Sequence, residues 1–174
     1  DENIAIRCKE LRDHGMDINK KYHHVDLGYN YRMTNMQAAI GLAQLEKLDK
    51  ILSKRNLQMD YYYNSLKHIS GITVRNFKDW TKPVHWLLTI SFSNEYNILD
   101  FINFMSQNGI ECRPMISPVN EAIHFKPNYS KSDYPVSYDI SSKSVHLPSS
   151  TALSKEQIDF ICKNIKRFLQ EKAL

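Results

Sequence analysis

Asn30 and Arg32 stand two residues apart in "GYNYR", residues 28–32, directly ahead of a helix start. An amide and a guanidinium at that spacing can do one of two things. They can form a turn in which the arginine steadies the helix entrance. Or they can hold an anion, because a carboxamide offers neutral N–H donors and a guanidinium offers a planar fork that grips phosphate through two parallel bonds. Tyr29 and Tyr31, interleaved with them, can order the loop and lend hydroxyls. A second arginine, Arg113, precedes Pro114 in "IECRPMI", where the plain reading is a surface side chain.

The other chemistry-bearing residues point away from metals and disulfides. Cys8, Cys112 and Cys162 are odd in number, widely spaced and contain no CxxC pair, so each reads as a small buried apolar residue in a reducing compartment. His23 and His24 are adjacent and face different sides, which does not make a chelate. His14 reads as structural, and His85 as a buried strand neighbour. No metal site is expected.

The elements that would position these residues follow from periodicity. Ile4, Cys8 and Leu11 predict a helix over 3–13, stopped by Gly15. Residues 16–33 read as a long loop, and long loops inside compact domains are often functional. Thr34 and Gln37 have the spacing of a capping box, and the pattern from there predicts one helix running to Leu66. Ala38, Ala39, Gly41 and Ala43 keep its first turns thin. Gly41 costs about 1 kcal/mol against Ala in mid-helix, so a close neighbour is expected to explain it. The run Tyr61–Tyr63 reads as a half-buried surface band.

After Gly71 the period changes. "ITVRNF" and "HWLLTISFS" read as strands, "NEYNILDFINFMSQNG" as a helix stopped by Gly109, and "IECRPMI" as a short strand confined by Pro114 to an edge or an end. Residues 117–139 read as a second long loop, "SVHLPS" as a strand, and 155 onward as a helix capped by Ser154 and Gln157 with Ile158, Ile161, Ile165 and Phe168 inward. Phe101 and Phe104 read as core or near-core. The order from residue 71 is β-β-α-β-loop-β-α, a small α+β domain with helices on one face of a sheet.

The chain has 174 residues, 42% of them hydrophobic and 24% charged, an ordinary globular balance. No apolar run approaches the roughly 20 residues that span a bilayer, so no membrane role is expected. The net charge of +4 is spread among acids, not gathered in the patch a nucleic acid would need. The first residues are charged and helical in pattern, unlike a secretory leader. The first residue is not Met, and the chain reads as a piece of something longer.

The stretch "LRDHGM…LGYNYRMTNMQAAIGLAQLEKLD" resembles the DegT/StrS family of pyridoxal-phosphate-dependent sugar aminotransferases, most closely its perosamine-synthase-like branch. "HWLLTI", "GIECRP", a proline-rich loop ending in "PNY", and "HLPSS…LSKEQIDFI" follow in the family's order. The resemblance implies an α/β enzyme of fold-type I, of which this chain would be the C-terminal portion. Residues 1–35 would end the large domain, 34–70 would be a long connecting helix, and 71–174 the small α+β domain. It implies pyridoxal 5′-phosphate as cofactor, glutamate and a nucleotide-linked keto-sugar as substrates, a homodimer with a shared active site, and a cytoplasmic location.

The same resemblance assigns roles. Asn30 would reach the cofactor phosphate of the partner subunit, with Arg32 close by. Arg113 would contact the phosphates of the sugar nucleotide, and Tyr31, His124 and Tyr129 would be substrate contacts. Asn120 stands nearer than His124 to the position where the family often has a histidine. The lysine that forms the Schiff base would lie outside this chain, which alone would be inactive. Two alternatives share the resemblance: a dehydratase of the same family, and a non-catalytic homologue that dimerises and regulates.

Overall fold

The computed structural model describes residues 1–125 and 130–172. They form two compact units, Asp1–Leu48 and Asp49–Leu174.

The first unit holds helix α1 (Glu2–Arg12), a long irregular segment, and helix α2 (Asn35–Leu45). Asp1 caps α1, its carboxylate accepting from the amides of Asn3 and Ile4. The capping box of α2 is present in full: Thr34 Oγ1 accepts from Gln37 N, and Gln37 Oε1 accepts from Thr34 N at 2.8 Å. Neither helix buries a residue within the chain. Cys8 is therefore exposed, not the small core residue its type suggested. A Cβ at Gly41 would meet no described atom within 4 Å, so the close neighbour expected there is not found among the described residues.

The single helix expected over 34–66 is two helices. α2 ends at Leu45 and α3 runs Leu48–Leu66. At the join Lys47 N donates to Gln44 O at 3.1 Å, the i→i−3 bond of a tightened turn. No glycine or proline marks the join, which is why helical periodicity reads straight through it.

In the second unit four strands form an antiparallel sheet in the order β1-β2-β4-β3: β1 Ile72–Val74, β2 Leu88–Phe92, β3 Arg113–Pro114 and β4 Ser144–Leu147. Pro114 lies on the edge strand, where a missing N–H costs no ladder bond. Residues paired across antiparallel strands share a face. Leu88 pairs with Leu147, Ile90 with Val145, Ile72 with Phe92 and Val74 with Ile90, so one face is apolar. Thr89 pairs with His146, Ser91 with Ser144 and Arg113 with His146, so the other face is polar.

The apolar face packs with α3, α4 (Ile98–Gln107) and α6 (Lys155–Lys172) into one core that includes Tyr62, Leu66, Phe101, Met105, Ile158, Ile161, Ile165 and Phe168. Phe168 sits at its aromatic centre, with its ring centroid within 6.3 Å of those of Phe92, Tyr96, Phe101 and Phe104. Phe168→Ala is expected to lower unfolding stability by about 3–5 kcal/mol, read as a shifted urea midpoint.

Three local expectations change. Tyr62 is fully buried and only Tyr61 and Tyr63 form a half-buried band, because the Tyr62 hydroxyl donates to Pro148 O at 3.0 Å. His85 is half-buried ahead of β2, its ring edge-on to Phe77. The loop expected over 117–139 holds short 3-10 turns at Val119–Glu121 and Lys131–Asp133 and the start of a helix, α5 (Pro135–Ser142). Pro135 opens α5 at its first turn, where its fixed φ is favourable. Ser144 Oγ, on the polar face, donates to Ile140 O at 2.6 Å, so a helix reaches that face as well.

Candidate active-site residues

The "GYNYR" segment is tied to the end of α1 by backbone hydrogen bonds. His14 and Gly15 both take positive φ, 61° and 64°, and turn the chain sharply after α1. Residues 23–31 then fold back over that turn. Tyr29 N donates to Leu11 O, His14 N to Tyr29 O, Tyr31 N to Arg12 O and Val25 N to Gly15 O, all at 2.9–3.1 Å. The approach is close enough that a Cβ on Gly28 would lie 2.1 Å from Gly15 N, and one on Gly15 would lie 2.1 Å from Asp26 O. Arg7 pairs with Asp26 on the outside of this knot.

The knot orients Asn30 and Arg32. Asn30 Oδ1 accepts from Arg32 N at 3.2 Å, which leaves the amide NH2 as a donor turned to no described residue. Arg32 Nη1 meets both carboxylate oxygens of Asp13, at 3.5 and 3.4 Å. That is long for a charge-assisted bond, and the pair is exposed, so it steers the guanidinium with a net worth of at most about 1 kcal/mol. A shallow cavity of about 340 Å3 is lined by His14, Asn30, Arg32, Met33, Thr34 and Asn35. Both readings of the pair thus have a physical counterpart: a turn with an ion pair, and a set of outward donors suited to an anion.

Tyr31 does not line this cavity; its ring leans on Tyr29, centroids 5.8 Å apart. His14 does line it, although its sequence context reads as structural. The only sequence signal was the adjoining glycine, since a non-glycine residue at positive φ has no dependable pattern.

In the second unit Arg113 stands at the mouth of a larger cavity of about 660 Å3. Its Nη2 and Nε donate to Glu111 Oε1 at 2.8 and 3.0 Å, and both side chains are 75% exposed. Opposite it on β4, His146 is buried; its Nδ1 meets Thr89 Oγ1 at 2.9 Å, while its Nε2 has no hydrogen-bond partner among the described residues. Burial lowers the pKa of its imidazole below the ordinary histidine value. The far rim, residues 148–153, is pinned by one face of α3. Arg55 Nη1 donates to the carbonyls of His85, Trp86 and Ser149, Gln58 Nε2 to those of Ser150 and Leu153, and Tyr62 to that of Pro148. Sequence reasoning missed Arg55 and Gln58 because their partners lie 30 or more residues away.

His124 lines neither cavity and stacks on Phe125, centroids 4.3 Å apart. Asn120 is buried and donates to the Tyr138 hydroxyl at 2.8 Å. Tyr129 lies outside the described residues. Among the described residues no group of three or more His, Cys, Asp or Glu side chains could hold a metal ion, and no helix is long and apolar enough to cross a membrane.

A stitched loop ahead of a capped helix, followed by a four-stranded α+β unit, is the architecture of the C-terminal portion of fold-type I pyridoxal phosphate aminotransferases. Solved members superpose closely. An aminotransferase, TlmJ, from Streptoalloteichus hindustanus matches with a TM-score of 0.88 at 15% identity, covering 100% of this chain and 47% of that one. A Streptococcus pneumoniae chain in a PLP-form matches with a TM-score of 0.84 at 24% identity, over 98% and 44%. The chain belongs to the DegT/DnrJ/EryC1/StrS aminotransferase family, whose profile matches residues 1–166. GDP-perosamine synthases are among its similar relatives. That of Escherichia coli O157:H7 is 31% identical over 99% of this chain and 46% of its own length, and that of Vibrio cholerae is 32% identical over 95% and 45%. The chain spans about half the length of the curated relatives it matches. The family's cofactor is pyridoxal 5′-phosphate.

Proposed function

We propose that residues 1–174 act as the C-terminal portion of an enzyme that moves an amino group from glutamate to a nucleotide-linked keto-sugar. The observation that carries this reading is the free amide donor of Asn30 beside the Arg32 fork, built by a backbone knot within a sequence of this family. Pyridoxal phosphate, when bound, supplies the electron sink that amino transfer needs. The donor set fits its phosphate: Asn30 brings a neutral amide N–H and Arg32 a guanidinium to one cavity.

In this reading Asn30 donates to the phosphate of a cofactor carried by the partner subunit, and Arg32 adds charge beside it. The Asp13 carboxylate keeps the guanidinium from swinging away. The exposed apolar side chains of α2, Met36, Ile40, Leu42 and Leu45, support a dimer, since a second copy would take them out of water. Residues 1–35 would finish the large domain, and the lysine that anchors the cofactor would lie outside this chain, in the cytoplasmic full-length protein. Arg113 would face the phosphates of the sugar nucleotide, which compete with Glu111 for its fork.

The test is an amino-transfer assay on the full-length protein with 15N-glutamate and nucleotide-linked keto-sugars. A 15N-labelled amino sugar is expected. Arg113→Ala is expected to raise the sugar-nucleotide KM by roughly tenfold, one lost charge-assisted contact, with pyridoxal phosphate affinity unchanged. A dehydrated sugar with no nitrogen gained would move the protein to the family's dehydratase chemistry.

A further inference from the structure

The cavity of about 660 Å3 in the second unit is within the range of small-molecule sites, and its walls are chemically uneven. Ile110, Leu147, Leu153 and Phe160 supply apolar surface, while Glu111, Arg113, Glu156 and Gln157 supply a polar rim. Arg113 is the one cation among the lining residues, against two carboxylates. A free phosphate would not sit well inside such a charge balance, nor a sugar against so much apolar wall, nor an acyl chain beside two acids. A flat ring with apolar faces and an edge of alternating donors and acceptors suits all three features.

We propose that this cavity receives the base of the nucleotide carrier, with Arg113 at its mouth taking the adjoining phosphates. The inference rests on the reading of the substrate as a sugar nucleotide and adds the place and manner in which the carrier is held.

Two further observations support it. His146, directly across the strand pair from Arg113, has one ring nitrogen held by Thr89 and the other buried with no partner among the described residues. An unsatisfied buried nitrogen is costly, and most such groups in folded proteins find a partner. The single Thr89 contact allows the ring a small turn that brings Nε2 to a ligand edge, and a base edge offers both donors and acceptors to meet either tautomer. Phe160, in contrast, is half exposed beside Ile161, where its ring can stack on a base without being needed by the core. Gln157 Oε1 is occupied by Ser154 N, which turns the amide NH2 outward as another donor.

The experiment is calorimetric binding of guanosine diphosphate, uridine diphosphate and inorganic pyrophosphate to the full-length protein and three variants. Phe160→Ala is expected to weaken the preferred nucleoside diphosphate roughly tenfold, the scale of one lost base–aromatic stack, and to leave pyrophosphate binding unchanged. His146→Leu is expected to weaken the same ligand, and His146→Gln, which keeps an amide near the Nε2 position, to recover most of the loss. Nucleoside diphosphate binding equal to wild type in Phe160→Ala and His146→Leu would overturn the cavity assignment and leave the sugar-nucleotide reading standing. Absence of nucleoside diphosphate binding to the wild-type protein would overturn both.

Discussion

Asn30→Ala in the full-length protein is expected to weaken pyridoxal phosphate binding roughly ten- to hundredfold, the loss of one hydrogen bond to a charged group. The readout is an absorbance titration of the apoprotein. Alanine alone would not separate a phosphate contact from a turn, because Asn30 Oδ1 also accepts from Arg32 N. Asn30→Asp separates them. Aspartate keeps that acceptor, so the turn survives, but it replaces the outward NH2 with a negative oxygen that repels phosphate. If the segment is only a turn, Asn30→Asp binds cofactor as wild type does. If Asn30 donates to phosphate, Asn30→Asp is at least as damaging as Asn30→Ala.

Gly28→Ala is expected to disrupt the first unit strongly. The new Cβ would lie 2.1 Å from Gly15 N and 2.7 Å from His14 C, and both are backbone atoms that cannot move aside cheaply. A cost of about 2–4 kcal/mol follows for overpacking against main chain. Hydrogen exchange at the Tyr29 and Tyr31 amides, which donate to Leu11 and Arg12, should accelerate as the knot loosens. Urea unfolding of the second unit should be little changed, which separates a local effect from global loss. The φ of Gly28 is not in the left-handed region, so a turn rule does not demand glycine there; the demand comes from a contact with a residue 13 positions away.

That contact illustrates what could be read from the sequence and what could not. The capping boxes at Thr34 and Ser154 were legible because they depend on residues three apart. α4 and α6 were legible because their apolar faces repeat at helical spacing, and Phe101, Met105, Ile158 and Ile165 are buried as that spacing requires. β3 was legible at the edge because of Pro114. α5 was missed because Pro135 was read into the long loop over 117–139, whereas proline at a helix's first turn is a starter. The break at Glu46–Lys47 was missed because nothing in its composition departs from helix. Tyr62 was placed with its neighbours in a surface band because the carbonyl that draws it inward belongs to Pro148.

The candidate site divides the same way. The residue types in "GYNYR" were visible, and the family resemblance supplied a role for them. Their orientation was not visible, because it depends on Asp13, on the strained turn at His14 and Gly15, and on four upstream backbone atoms, Leu11 O, Arg12 O, His14 N and Gly15 O. Arg113 was visible as a charge before a proline. Its neighbour His146, buried on the polar face of a strand whose other face is core, carried no mark beyond its type.

The most direct measurement of a shared active site is complementation between two inactive proteins. One carries Asn30→Ala; the other lacks the cofactor-anchoring lysine, which is proposed to lie outside residues 1–174. Each alone should transfer little amino group. If Asn30 serves the partner subunit's cofactor, a mixed dimer contains one site with both the lysine and Asn30 intact, and mixing after gentle dissociation should restore amino transfer well above either variant alone. Activity that stays at the level of the separate variants, in dimers shown to have exchanged subunits, would contradict the clamp across the interface.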